Sequence, residues 1–163
     1  MKIHNIEQSQ FKKIDIARQI LFDEDARRFS LIDLGKEFGC YGLSWRSDLI
    51  EPIIVISANQ QIWIGIDQRL AAINLNTGHI LVSLPVLTNI LQIQVVNTAT
   101  LVLTESELLL FNLDGSIRYI KGLPELASKM LICDYEVQIY GVEGDIWVMD
   151  TQTGTFKQSL VAA

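Results

Sequence analysis

Cysteine, histidine and proline are scarce: two, two and three residues in a chain of 163. Cys40 and Cys133 lie far apart and in no metal-like pair, which argues against a disulfide scaffold and reads as two reduced thiols. His4 and His79 have no cysteine or carboxylate at zinc-ligand spacing, so no metal site is expected. His79 follows a glycine and reads as a turn residue. No apolar run approaches the roughly 20 residues that span a bilayer. Met1 to Gln10 is polar and lacks an apolar signal region, so a cytoplasmic protein away from membranes is expected. There is no Gly-x-x-x-x-Gly-Lys or Gly-x-Gly-x-x-Gly phosphate loop, and no Gly-x-Ser-x-Gly elbow. The expected sets of catalytic, cofactor-binding and metal residues are therefore empty.

Positive charge is also in short supply. The net charge is −6, which argues against nucleic acid as a partner. The imbalance is local. Residues 1–50 hold eight basic and eight acidic side chains, whereas residues 51–163 hold five basic and eleven acidic ones. Asp23-Glu24-Asp25 lacks the glycine and distal glutamate of a calcium loop and reads as a solvated turn or helix end. Glu105 and Glu107 lie two apart on a strand beside a turn, where exposed charge is ordinary. Hydrophobic residues make up 49% and charged residues 20%, a globular composition. A chain of this length buries about 70% of its unfolded surface.

What the sequence does contain is a repeat. Ile62–Gly78, Leu101–Gly115 and Ile139–Gly154 each show an apolar run, a polar break, a second apolar run, an Asn or Asp and a glycine. The glycines at 78, 115 and 154 are 37 and 39 residues apart, close to the ~40 residues of a four-stranded propeller blade. The runs are rich in Ile, Val, Leu and Trp, which suit a pleated, half-buried surface. The glycine supplies φ > 0 at a tight turn, and the preceding Asn76, Asp114 and Thr153 are turn formers. Four strands per repeat follow: 53–57, 61–66, 70–75 and 80–84, then 91–96, 100–104, 107–112 and 117–120, then 130–133, 137–142, 145–150 and 155–160.

These repeats resemble blades of the PQQ-like, quinoprotein-type β-propeller. That pattern has a strand ending in Ala-Leu-Asp, two further residues, then Thr-Gly. Ala72-Ile73-Asn74 with Asn76-Thr77-Gly78 fits it, as does Val148-Met149-Asp150 with Gln152-Thr153-Gly154. Phe111-Asn112 with Asp114-Gly115 fits more loosely. The resemblance covers about residues 51–160 and implies blade architecture. The tryptophan that follows Thr-Gly in the family is replaced near Val82, Tyr119 and Gln158, and no quinone or metal ligand carries over.

In the first fifty residues, Arg28–Gly35 resembles the third strand and turn of a blade. Upstream, Phe11, Ile14, Ala17 and Leu21 have helical spacing, while Ile14, Ile16, Ile20 and Phe22 fit alternation. The expectation is a short helix over 9–21, with strands at 28–34 and 37–43. The fold class expected is thus all-β: antiparallel four-stranded blades of a partial propeller of about three to three-and-a-half blades, with a short N-terminal helix. The expected organisation is an N-terminal segment at 1–50 and blades at 51–88, 89–126 and 127–163.

Closed propellers have 4–8 blades, and an open one leaves apolar faces and sheet edges to be covered. A protein partner or self-association, including a homodimer, is therefore expected. Trp45 and Arg46, in the polar stretch 44–48, and Arg27 and Arg28 are candidate partner contacts, since Trp and Arg dominate interface hot spots. Large aromatics are mostly buried, and on that ground Trp45 reads instead as a buried residue packing a linker. The function expected is a non-enzymatic protein-interaction module. The alternatives are an immunity- or antitoxin-like protein neutralising a basic partner, and a small-molecule binder or enzyme using a propeller channel.

Overall fold

The computed structural model describes residues 1–96 and 98–161, the last four of these without their side chains. Asn97 and residues 162 and 163, which fall in the expected blades 89–126 and 127–163, lie outside the described residues, as does the Gln158 side chain. The chain divides into two compact units, Met1–Pro85 and Val86–Ala163.

The first unit holds two sheets. In residues 1–50 the elements are β1 (Lys2–Asn5), the helical turn α1 (Gln8–Phe11), a 3₁₀ turn (Ile16–Arg18), β2 (Gln19–Leu21), β3 (Arg28–Asp33) and β4 (Cys40–Trp45). They form a complete four-stranded sheet in the order β1-β3-β4-β2, where the sequence suggested half of one. The helix expected over 9–21 is corrected: it stops after one turn. Ile14 and Ile16 are β-branched and disfavour helix, and Asp15 accepts the Ala17 N–H at 2.9 Å to start the 3₁₀ turn instead. The chain then enters β2, which pairs in parallel with β4 and buries Ile20 and Leu21. The strand expected at 37–43 begins later, at Cys40, because Gly35 and Gly39 both take positive φ in the preceding turn.

The second sheet is β5 (Ile53–Ile56), β6 (Gln61–Ile66), β7 (Arg69–Asn74) and β8 (Ile80–Pro85), an antiparallel meander. Ile32, Leu43 and Trp45 of the first sheet pack on Ile62, Ile64 and Ile73 of the second. Each such fully buried side chain contributes about 1.5–3 kcal/mol.

The second unit repeats the plan. Its sheets are β9 (Ile90–Val96), β10 (Ala99–Thr104), β11 (Glu107–Asn112) and β12 (Ile117–Gly122), then β13 (Ala127–Cys133), β14 (Glu136–Gly141), β15 (Asp145–Asp150) and β16 (Phe156–Val161). Leu101, Leu103 and Leu110 pack against Met130, Ile139 and Met149. Sixteen strands in four four-stranded sheets are thus present among the described residues, and the fold is all-β.

The repeat has a structural basis at its turns. Gly35, Gly78, Gly115 and Gly154 have φ of +96°, +71°, +83° and +69°, a region that is cheap only without a Cβ. The acceptor that shapes three of these turns is the last residue of the third strand; in the first sheet Asp33 Oδ1 accepts the Gly35 N–H at 2.8 Å. Asn74 Oδ1 accepts the N–H groups of Asn76 and Thr77 at 2.9 and 3.3 Å. Asp150 Oδ1 accepts those of Gln152 and Thr153 at 2.8 and 3.1 Å. In the third sheet Asp114 does this for Ser116 at 2.9 Å.

Candidate functional site

The four candidate contact residues lie in the first unit, at the ends of β3 and β4 and just beyond them, and the structure engages each of them internally. Trp45 is 1% exposed and belongs to the core. Its Nε1 donates to the Ile50 carbonyl at 3.1 Å, and the Arg28 guanidinium lies over its ring, 5.2 Å from the centroid. Arg28 pairs with Glu51 at 2.7 Å and Arg27 with Asp48 at 3.5 Å. Arg46 Nε donates to both carboxylate oxygens of Asp23 at 2.8 Å, and its guanidinium reaches Asp25 at 3.3 Å. Asp23, read from sequence as part of a solvated turn, is only 7% exposed. Burial raises its pKa, but hydrogen bonds from Arg46 and the Asp25 N–H, with the charges of Arg46 and Arg69, outweigh that and hold it below the ordinary aspartate value. This cluster ties the segment after β2 to the end of β4.

Two other surfaces have the shape of recognition sites. The first is a cavity of about 500 Å³ in the first unit. Phe11, Phe22 and Phe29 supply its aromatic walls and Ile16 part of its rim. Phe11 and Phe22 are nearly parallel, with centroids 6.4 Å apart, and Phe29 tilts against Phe11 at 5.4 Å. Phe11 is buried because it lies against the backbone of β4. A Cβ at Gly42 would stand 2.9 Å from the Phe11 ring and 2.8 Å from Ile14 Cδ1. The outer face of the first sheet is thus covered by the chain's own N-terminal turn.

The second surface is the outer face of the fourth sheet. β6 and β10 are buried along both faces, whereas β14 alternates and buries only one. Val137, Ile139, Trp147 and Met149 point into the core. On the opposite face the register aligns Leu131 with Gln138 and Val148, and Lys129 with Tyr140 and Ile146. Leu131 is 46% exposed, and Tyr140, Ile146 and Val148 are half-buried. The Lys129 ammonium lies 4.7 Å from the centre of the Tyr140 ring. The alternation of Glu136-Val137-Gln138-Ile139-Tyr140 was the sequence signal for a strand with only one buried face.

Near this sheet Glu125 is unusual. Its Oε1 is closed off from water and has no hydrogen-bond partner. Burial and the nearby carboxylates of Glu143 and Asp145 push its pKa up. Among the described residues, no group of three or more His, Cys, Asp or Glu side chains is placed to hold a metal ion. No helix among them is long and apolar enough to cross a membrane.

No protein-family model matches the chain, and no curated protein matches it. Solved structures do. Sqt1 of Saccharomyces cerevisiae aligns with a TM-score of 0.57 and 18% identity over 73% of this chain and 35% of that one. The computationally designed protein Ika8 aligns with a TM-score of 0.60 and 13% identity over 87% and 48%. The Pan2 WD40 domain of Neurospora crassa aligns with a TM-score of 0.57 and 12% identity over 67% and 37%. At these identities the likeness is one of fold, and it is to propeller-type proteins. The chain spans about a third to a half of the length of these structures.

Proposed function

We propose that this chain is a non-enzymatic protein-interaction module whose contact surface is the outer face of the fourth sheet. The observation that carries the reading is the half-apolar, solvent-open face formed by Leu131, Tyr140, Ile146 and Val148. A sheet face of this kind is stable when another surface covers it. The propeller-type likeness fits the reading, although fold alone assigns no function. Within it, the Thr77-Gly78 and Thr153-Gly154 turns support a PQQ-like reading of the repeats, and the site of action is the cytoplasm. The occupant of the face is a protein partner or a second copy of the chain.

The test is native mass spectrometry on protein gently purified from its source cell, with Leu131→Glu beside the wild type. A stoichiometric second polypeptide or a homodimer, lost on Leu131→Glu while the monomer stays folded, supports the proposal. A wild-type monomer, or a complex indifferent to Leu131→Glu, refutes it.

A further inference from the structure

The proposed contact face leaves the aromatic cavity of the first unit unused. Its volume, about 500 Å³, lies within the 300–1,000 Å³ typical of ligand sites. Its composition matches such sites as well: apolar walls with a few polar groups. Phe22 is 51% and Ile16 85% exposed, so a floor built on Phe11 opens through an apolar rim.

The charges around it are unequal. Asp23 and Glu24 line the cavity and Asp25 follows them, against the cations Lys12 and Arg46. Arg46 is committed to Asp23 and Asp25. Among the described residues Glu24 and Lys12 enter no ion pair. The rim therefore carries one more negative than positive charge, with the Glu24 carboxylate free. Aromatic faces also attract cations.

We infer that this cavity receives an aromatic anchor side chain of a partner polypeptide, with a basic residue beside the anchor pairing with Glu24. The assignment rests on the reading of the chain as a protein-interaction module. Flat aromatic walls suit a flat ring, and an apolar floor with charged groups at its edge is how interface hot spots are built. Lys12 is left to take a backbone carbonyl of the same segment.

The test uses two capped peptides, acetyl-Ala-Lys-Trp-Ala-amide and acetyl-Ala-Glu-Trp-Ala-amide, with free indole as the control. Each is titrated into the full chain and followed by backbone amide shifts in NMR. The expected result is shifts confined to the surroundings of Phe11, Phe22 and Phe29. The lysine peptide should bind about 2- to 5-fold tighter than the glutamate peptide at low salt, the range of an exposed ion pair. Glu24→Lys should reverse that order, and Phe22→Ala should weaken both peptides about tenfold. Shifts elsewhere, no preference between the peptides, or indole binding as tightly as the peptides would overturn the inference. Failure here beside a native complex sensitive to Leu131→Glu removes the cavity assignment alone. Peptide binding beside a wild-type monomer removes the fourth-sheet reading and leaves the cavity standing.

Discussion

Gly141→Ala tests the packing beside the fourth sheet. Gly141 ends β14 with its backbone buried, and an added Cβ would stand 2.8 Å from Trp147 Cη2 and run into the Glu125 carboxylate. Overpacking of this kind costs about 1–3 kcal/mol. Replacing a strand glycine returns about 0.5–1 kcal/mol of backbone entropy. The net expectation is a loss of about 1–2 kcal/mol. At about 2–4 °C per kcal/mol for a chain of this length, the melting temperature falls by roughly 2–8 °C. Glu125→Ala removes the nearer obstacle, so Gly141→Ala in that background should lose less than half as much, a coupling that a double-mutant cycle by calorimetry reads directly. An equal loss in both backgrounds, or a gain in the wild type, refutes the packing argument. The same residue gives a pH test. The folded-state pKa of Glu125 is raised, so the native state holds its proton more tightly than the unfolded chain does. That contribution is complete below the ordinary glutamate pKa and disappears as pH rises through the raised one. Urea denaturation should therefore show the wild type losing stability across that window relative to Glu125→Gln. Parallel pH profiles for the two would contradict the assignment.

Asn74→Ala removes the acceptor for two turn N–H groups and should cost about 1 kcal/mol, whereas Asn74→Asp keeps the acceptor and most of the stability. A chemical denaturation series in which Asp and Ala behave alike would discard the turn argument. Tyr119, whose hydroxyl donates to the Thr151 carbonyl at 2.9 Å, has its pKa pushed up to about 12 by burial. Ultraviolet titration should show a late-ionising tyrosine step, and Tyr119→Phe should abolish it. Its stabilisation is present below the ordinary tyrosine pKa and is lost as pH climbs towards the raised value.

The second, third and fourth sheets were legible because their strands are local hairpins, and a hairpin writes its turn chemistry and its alternation into adjacent residues. Most of their strand boundaries fall within a residue of the expected ones. β13 begins three residues early, at Ala127, through a bulge beside Ala127–Lys129. The first sheet was only half legible. β1 is the polar run Lys-Ile-His-Asn, exposed throughout, and carries no periodic signal. β2 has three residues and pairs in parallel with β4, a contact no local pattern encodes. The internal pairing of the candidate contact residues was hidden for a related reason. Charges at Arg27, Arg28 and Arg46 are plain in the sequence, but their carboxylate partners lie 21 to 23 residues away in the chain and appear only on folding. Phe11, Phe22 and Phe29 likewise belong to three different local segments, and only the turn of the chain between α1 and β3 brings them to one cavity.

The N-terminal turn constrains which assemblies the interaction reading allows. A heterologous contact would set the outer face of the fourth sheet in one copy against the outer face of the first sheet in another. Phe11 and Ile14 already stand against Gly42 on that first-sheet face, so such contact requires α1 and the segment after it to leave, exposing Phe11 and separating it from Phe29. Self-association with the turn in place must instead be isologous, fourth-sheet face on fourth-sheet face, which closes at two copies. The two arrangements differ in one observable. Gly42→Ala would push Phe11 and Ile14 off the sheet, and so should promote the heterologous form while leaving the isologous dimer unchanged. The concentration dependence of sedimentation for Gly42→Ala against Leu131→Glu therefore separates them: association strengthened by the first change is heterologous, and a dimer abolished only by the second is isologous.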